Sequence, residues 1–169
     1  MEEIIEIVNK NGKVVGKTTR QKAYQKGSLH LAVNVLVLNS KGQIYLQKRS
    51  ANKSSFPLHW DISVSEHVKP GESPKNAAIR GLQEELSIKS PVKLARKKHI
   101  QKSTFIKNGE KITENEIVRL YVAKHDGSIK INKNEVAEGR FVSVQKLKSI
   151  ISSEKFTPWG RNEVEFFLK

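Results

Sequence analysis

The segment "GESPKNAAIRGLQEELSI", residues 71–88, constrains this chain more than any other. Ser73 is a good N-cap and Pro74 stands where the first helical residue belongs, so a helix begins here. At about 100° per residue, Ala78, Ile79, Leu82 and Leu86 fall on one side, an apolar stripe that needs a partner surface. Gly81, Glu84 and Ala77 fall elsewhere, with Glu85 at the boundary. The leucines are therefore expected to dock on a sheet while the glutamates face a cleft. Adjacent carboxylates repel one another unless a cation sits between them. Glu84 and Glu85, one turn past Arg80, thus mark a candidate site for Mg2+ or Mn2+, which prefer oxygen ligands. Glu72, just ahead of the helix, either reaches the same cation or pairs with Arg80.

The remaining elements alternate in type. "EIIEIVNKNGKVVGKTT" reads as a hairpin turning at Asn-Gly, and "RQKAYQKG" as a helical turn closed by Gly27. "HLAVNVLVLNSKGQIYLQKRS" reads as two strands around Asn39 to Gly42; Ile44 and Leu46 share one face, Tyr45, Gln47 and Arg49 the other. "HWDISVSEHV" reads as one further strand running into a loop. Two long strands follow, around "RKKHIQKSTFIK" and "ENEIVRLYVAKH", then a strand at "GRFVSV" and helices at "VQKLKSIISS" and "RNEVEFFLK". Strands often follow one another directly, which predicts α+β: a mixed sheet flanked by helices.

A length of 169 residues suits one domain over 1–169. The absence of cysteine removes disulfides, thiolate metal sites and cysteine nucleophiles together. Glu2, Glu3 and Glu6 stand where a secretion signal needs positive charge, and no apolar run approaches the roughly 20 residues of a membrane span. A cytoplasmic protein without a membrane is the expectation. The net charge of +14 attracts polyanions: nucleotide, diphosphate or nucleic acid. Nucleic acid is the less favoured partner, because no arginine-rich arm or aromatic-interleaved basic motif is present. The run Lys89, Lys93, Arg96, Lys97, Lys98 and Lys102 reads equally well as a solvated strand face.

Residues 66–88 resemble the Nudix box, G-x5-E-x7-R-E-U-x-E-E-x-G-U with U apolar. Glu72, Arg80, Leu82, Glu84, Glu85 and Ile88 match in register; Glu66, Gly81 and Ser87 depart from its first glycine, a glutamate and its late glycine. An amphipathic helix with solvent-facing glutamates would not bring the cap, the arginine and the paired acids together at that spacing. The wider chain, through "ENE" and "FTPW", resembles the isopentenyl-diphosphate isomerase branch of the Nudix superfamily and its hydrolase-like relatives. The resemblance implies a Nudix fold, an α/β/α sandwich, with Glu84 and Glu85, and Glu72 beside them, holding Mg2+ or Mn2+ against a diphosphate. It implies a second ligand set, His67, Glu114 and Glu116, with His30 matched to the same isomerase site. A further family histidine upstream of His30 has no counterpart in "KAYQKGSL". Taken on spacing alone, Glu114 and Glu116 fit a strand end facing water as well as a metal site.

The reading that follows is a metal-dependent hydrolase that cleaves a phosphoanhydride in a nucleoside diphosphate derivative or another small diphosphate. Glu84, Glu85 and Glu116 are its candidate catalytic residues; Arg49, Lys53, Arg80, His30 and Trp159 are its candidate substrate-binding residues. Arg49 is the better phosphate ligand of the cations, because a guanidinium forks onto phosphate oxygens. Trp159 fits the tryptophan over the isomerase carbocation and a core aromatic equally well. The isomerase alternative loses its essential cysteine, since Ser65 stands two residues before His67 and a hydroxyl is a poor carbon acid–base group. A nucleotide- or RNA-binding module without turnover is the other alternative, favoured by Gly81 in place of an acid and by the charge. If Gly81 marks a weakened hydrolase, Gly81→Glu should raise metal affinity or turnover.

Overall fold

A computed structural model describes residues 2–169. Strands β1 (Ile4–Val8) and β2 (Val14–Thr19) form the first hairpin, and the Asn9 side chain accepts from Asn11 N and Lys13 N in its turn. Helix α1 (Arg20–Lys26) is capped by Thr19 and ends at Gly27, whose φ of 61° is the left-handed conformation glycine adopts without strain. Strand β3 (Leu29–Leu38) is the spine of the sheet. It runs parallel to β8 (Glu110–Lys124) from Leu29↔Asn115 to Leu38↔Lys124, and β8 carries the long β7 (Val92–Lys107) on its other side.

The sheet forks. Strand β4 (Ile44–Arg49) meets β3 only at Leu38↔Ile44, then diverges to pair with β5 (Trp60–Asp61) and β9 (Val136–Val142). Strand β6 (Val64–His67) pairs instead with β3, from Ala32↔His67 to Val35↔Val64. The stretch expected as one strand through "HWDISVSEHV" is therefore two short strands in separate arms. Ser63 makes the switch: its Oγ accepts from Val37 N at 2.8 Å and its carbonyl accepts from Gln47 Nε2 at 3.0 Å, so it satisfies groups from both arms. Buried backbone donors need such partners, and a side chain serves as well as a ladder.

Helices cover both faces. Val33, Val35 and Val37 of β3 pack with Ala78, Leu82 and Leu86 of α2 (Pro74–Leu86). On the other side, Leu36, Ile44 and Leu46 pack with Leu147, Ile150 and Val164 of α3 (Val144–Ser153) and α4 (Pro158–Phe167). Each fully buried leucine contributes about 1.5–3 kcal/mol of apolar transfer. The α+β architecture is as expected, though α4 begins at Pro158 and takes Trp159 into its first turn. Among the described residues, no helix is long and apolar enough to cross a membrane.

The orientation of α2 differs from the periodicity argument in one respect. Ile79 is exposed, whereas Ala77 and Gly81, expected to point away, are buried with Glu85. The cause is the close approach of α2 to β6. A Cβ at position 81 would stand 2.6 Å from Val64 Cγ1 and 2.7 Å from Glu66 Cγ. Gly81 is thus the contact point of helix and strand, not an empty position on the rim of a cleft, and Gly81→Glu cannot simply add an acid there. In an open helix position glycine to alanine stabilises by roughly 0.5–1 kcal/mol. Here Gly81→Ala is expected to destabilise by about 1–3 kcal/mol through overpacking; an unfolding midpoint at or above that of the parent would contradict the close approach.

Candidate functional site

Arg80 organises the α2 side of the site. Its Nε donates to Glu72 Oε1 at 2.9 Å and Nη2 to Glu72 Oε2 at 3.1 Å. Nη1 donates to Glu66 Oε2 at 2.8 Å and Glu84 Oε2 at 3.1 Å, and Nη2 also to the His67 carbonyl at 2.8 Å. Glu72 is therefore committed to Arg80, and burial, which alone would raise its pKa, is outweighed by Arg80 and the Lys69 amide, which lower it. Arg80 is likewise saturated by protein groups. Glu84 stays half exposed at the rim, 3.8 Å from Lys69 Nζ.

Glu85 is different. It is 3% exposed, and Gln47 Nε2 donates to its Oε2 at 2.6 Å. The Glu66 carboxyl lies within hydrogen-bonding reach of it. Burial first, and then the Glu66 charge, push the Glu85 carboxyl well above the usual range. A buried acid facing a second acid, with a neutral amide as its direct donor, holds either a proton or a cation between them. All-oxygen donors suit Mg2+ or Mn2+, but Glu84 turns to Arg80 and Lys69 while Glu85 turns inward to Gln47.

A second cluster lies on the opposite face of β3. His30 is fully buried; its Nδ1 donates to the Ser28 carbonyl at 2.9 Å, leaving Nε2 without a hydrogen-bond partner, 3.5 Å from Glu116 Oε1. His67 Nε2 is 3.6 Å from the same oxygen and 2.9 Å from the Tyr24 hydroxyl, and His67 Nδ1 is 2.9 Å from Glu3 Oε1. Ligand atoms of His30, His67 and Glu116 lie within 4.8 Å of one another, and the orphaned His30 nitrogen is the kind of atom a metal ion satisfies. His30 does not line the cleft, so its place is with this cluster and not against a substrate.

Burial raises Glu116, but His30 and His67 outweigh it and hold the carboxyl at about 2. Burial disfavours the His67 cation, yet Glu116 and Glu3 raise it to about 10. Glu114, on the same strand face as Glu116, is pushed up to about 7 by burial and by the Glu116 charge. Both strand acids are buried, so they are not a strand end facing water.

The arm of β4 and β5 supplies the cations. Arg49 Nη1 is 3.2 Å from the fully buried Asp61, its Nε and Nη2 donate to the Ser55 carbonyl at 3.1 Å, and its guanidinium stacks 5.3 Å from the Trp159 ring. Trp159 Nε1 donates to Asp61 Oδ2 at 2.9 Å, so this tryptophan is both core aromatic and cleft wall. Lys53 pairs with Glu135. One cleft in the fork of the sheet is lined by Glu66, Glu84, Arg80 and His67 together with Arg49, Lys53, Glu114, Glu116 and Trp159. The cationic run on β7 lies elsewhere: Lys93, Lys97, Lys98 and Lys102 are exposed, and Arg96 stacks on Phe166.

Glu3, Tyr24, Gln47, Asp61 and Glu66 belong to the site although their residue types alone did not mark them. Glu66 had a signal, since it stands where the resemblance expects the first glycine of the box. Glu3 and Gln47 had none in sequence, because strand pairing brings them in: Ile7↔His30 sets β1 beside β3, and Gln47↔Asp61 sets β4 beside β5.

Glu3 and Glu116 both sit at about 2 against an ordinary 4.5. A lowered acid contributes stability that is fully present above the unfolded value and lost as pH falls through the folded one. The unfolding midpoint should therefore fall as pH drops from about 5 to 3, and Glu116→Gln should flatten that fall by on the order of 2 kcal/mol. Parallel midpoint-versus-pH curves for the two proteins would contradict the assignment.

Comparison with known proteins agrees with this geometry. The NUDIX domain family model matches residues 28–162. An uncharacterized Nudix hydrolase of Listeria monocytogenes is 31% identical over 162 residues, 91% of this chain and 88% of the relative. An isopentenyl-diphosphate Delta-isomerase of Photorhabdus laumondii is 30% identical over 164 residues, 94% of this chain and 89% of the relative. A crystal structure of a Deinococcus radiodurans protein superposes with a TM-score of 0.77 at 22% identity, covering 99% of this chain and 100% of the other. With its forked mixed sheet and the box helix set over the cleft, the chain belongs to the Nudix family.

Proposed function

We propose that this chain is a metal-dependent hydrolase that cleaves a phosphoanhydride bond in a nucleoside diphosphate derivative or another small diphosphate. The observation that carries it is the single cleft in which the carboxylates beside Arg80 meet Arg49 and Lys53. Glu84 and Glu85 would hold Mg2+ or Mn2+, which polarises phosphoryl oxygens when bound. Arg49, held by Asp61 and Ser55, presents a positioned guanidinium to the phosphate oxygens and offsets charge that develops on them. Lys53 adds a second positive charge. Glu72 acts through Arg80, which it orients on two hydrogen bonds.

The proton of the attacking water goes to a strand acid. Glu116 is committed to the two histidines, so Glu114, which lines the same cleft and titrates near neutrality, is the better general base. Below about 7 Glu114 holds a proton and cannot accept another, so the rate should rise with pH through that value.

The His30–His67–Glu116 cluster favours a second reading, an isomerase of isoprenoid diphosphates. Ser65 weighs against it, because it sits beside His67 in the cleft where the isomerase resemblance expects a thiol.

Incubation with Mg2+ or Mn2+ and a panel of nucleoside diphosphates, nucleotide sugars and isopentenyl diphosphate is expected to release phosphate or a nucleoside monophosphate. Glu114→Gln should lower the rate about 100-fold and remove the rise near neutral pH, and Arg49→Gln should lower it about tenfold or more. Formation of dimethylallyl diphosphate without phosphate release would establish the isomerase instead. Binding that weakens steeply with salt, with no product, would establish a binding module.

A further inference from the structure

The cleft has a larger neighbour. A second cavity, of about 610 Å³ against about 280 Å³ for the cleft, opens beside it, and the two share Glu3, Arg20, Tyr24, Ser54 and Ser55. Strand β8 contributes to both. Glu116, Glu114 and Ile112 stand at every second residue, so they share one strand face. Their partners on β7 are Gln101, Ser103 and Phe105. Along this face the lining changes from acids to the apolar pair Phe105 and Ile112, in a step of about 7 Å beyond Glu114. The Phe105 ring is also tied back to the cleft. It lies 4.9 Å from the Phe56 ring, which in turn lies 5.3 Å from Trp159, the ring on which Arg49 stacks. Phe56 holds this place at a φ of 47°, a conformation uncommon for any residue but glycine.

The rest of the lining selects what fits. Arg20 and Gln21 of α1 line the cavity together with Lys107, Asn108 and Glu110 of the β7–β8 turn. A hydrocarbon chain would strip water from these polar groups and give them no hydrogen bond in return. A further phosphate finds no surplus of positive charge. Glu2, Glu3 and Glu110 outnumber Arg20 and Lys107, and Arg20 already donates to Glu3 at 3.0 Å. A nucleoside matches both halves: its base offers a π face to an aromatic ring, and its hydroxyls and heteroatoms serve the polar wall. The volume also suits, since cavities that hold ligands of this size run about 300–1,000 Å³. Resting on the hydrolase reading of the cleft, we infer that the second cavity binds the nucleoside of a nucleoside diphosphate derivative, with the base stacked on Phe105 and the diphosphate in the cleft beside Arg49.

Nucleoside 5′-monophosphates contain no phosphoanhydride, so their calorimetric titration into the full chain reads the cavity without turnover. Inorganic phosphate is the reference. At least one of the adenosine, guanosine, cytidine and uridine monophosphates is expected to bind about tenfold or more tighter than phosphate. Phe105→Ala should lower that affinity about tenfold or more and leave phosphate within about twofold of the parent. Phe105→Tyr, which keeps the π face, should recover most of the loss. Nucleotides that bind no tighter than phosphate overturn the proposal, and cleavage of isopentenyl diphosphate by the same protein would leave the hydrolase reading standing. An unchanged nucleotide affinity in Phe105→Ala overturns it, because the ring then does not meet the base. Equal losses for nucleotide and phosphate also overturn it, since the substitution would then have disturbed the cleft. So does a loss that Phe105→Tyr does not recover when both variants unfold at the parent temperature. A parent protein that cleaves no diphosphate removes the hydrolase reading itself, and a substrate subsite with it.

Discussion

Arg80 is the constraint on which the site depends. A guanidinium carries five N–H donors in a fixed fork, and five hydrogen bonds leave Arg80, to Glu72 twice, to Glu66, to Glu84 and to the His67 carbonyl. Those acceptors come from the loop before α2, from α2 itself and from β6. One cation therefore fixes the helix to the strand and orders three carboxyls around the cleft. Its charge offsets acids that would otherwise repel one another, and its geometry decides which oxygens remain available.

The close contact at Gly81 and the fork of the sheet do the rest. Because α2 lies directly on β6, Glu85 is carried inward to Gln47 of β4, across the gap between the two arms. Because β3 and β4 part after a single pairing, that gap is an open cleft. Glu84 of α2 reaches it from one face of the sheet, and the histidine–glutamate cluster reaches it from the other through His67 and Glu116. Two chemically distinct groups thus border one space: the carboxylates Glu66 and Glu84 beside Arg80, and the pair His67 and Glu116, behind which His30 is buried. The first accords with phosphate chemistry. The second is the set that the isomerase resemblance implied, and Ser65 stands where that resemblance expects a thiol.

Much of the fold was legible in the sequence, because local signals carry it. Ser73 and Pro74 start α2, Gly27 ends α1, and turn residues at Asn11–Gly12, Asn39–Gly42 and Asn108–Gly109 separate successive strands, the first two of which form the expected hairpin. What failed was tertiary in origin. Ile79 satisfied the helical period yet faces solvent, because the buried arc is centred where β6 lies, at Ala77, Ala78 and Gly81. The strand through Trp60 to His67 is split at Ser63, whose Oγ accepts from Val37 N in a bond that no local pattern announces. For the candidate site, helix spacing marked Arg80, Glu84 and Glu85, and the family resemblance added His67, Glu114 and Glu116. Neither decided between a cation and Arg80 as the partner of Glu72, nor showed that His30 is sealed from the cleft or that Glu3 arrives from just ahead of the first strand.

The most direct test of the account is the position of the ion itself. An anomalous difference map from a crystal soaked in Mn2+ should show a peak beside Glu84 and Glu85, on the cleft side of α2. Occupancy confined to His30, His67 and Glu116, or no peak at either cluster at saturating Mn2+, would contradict it.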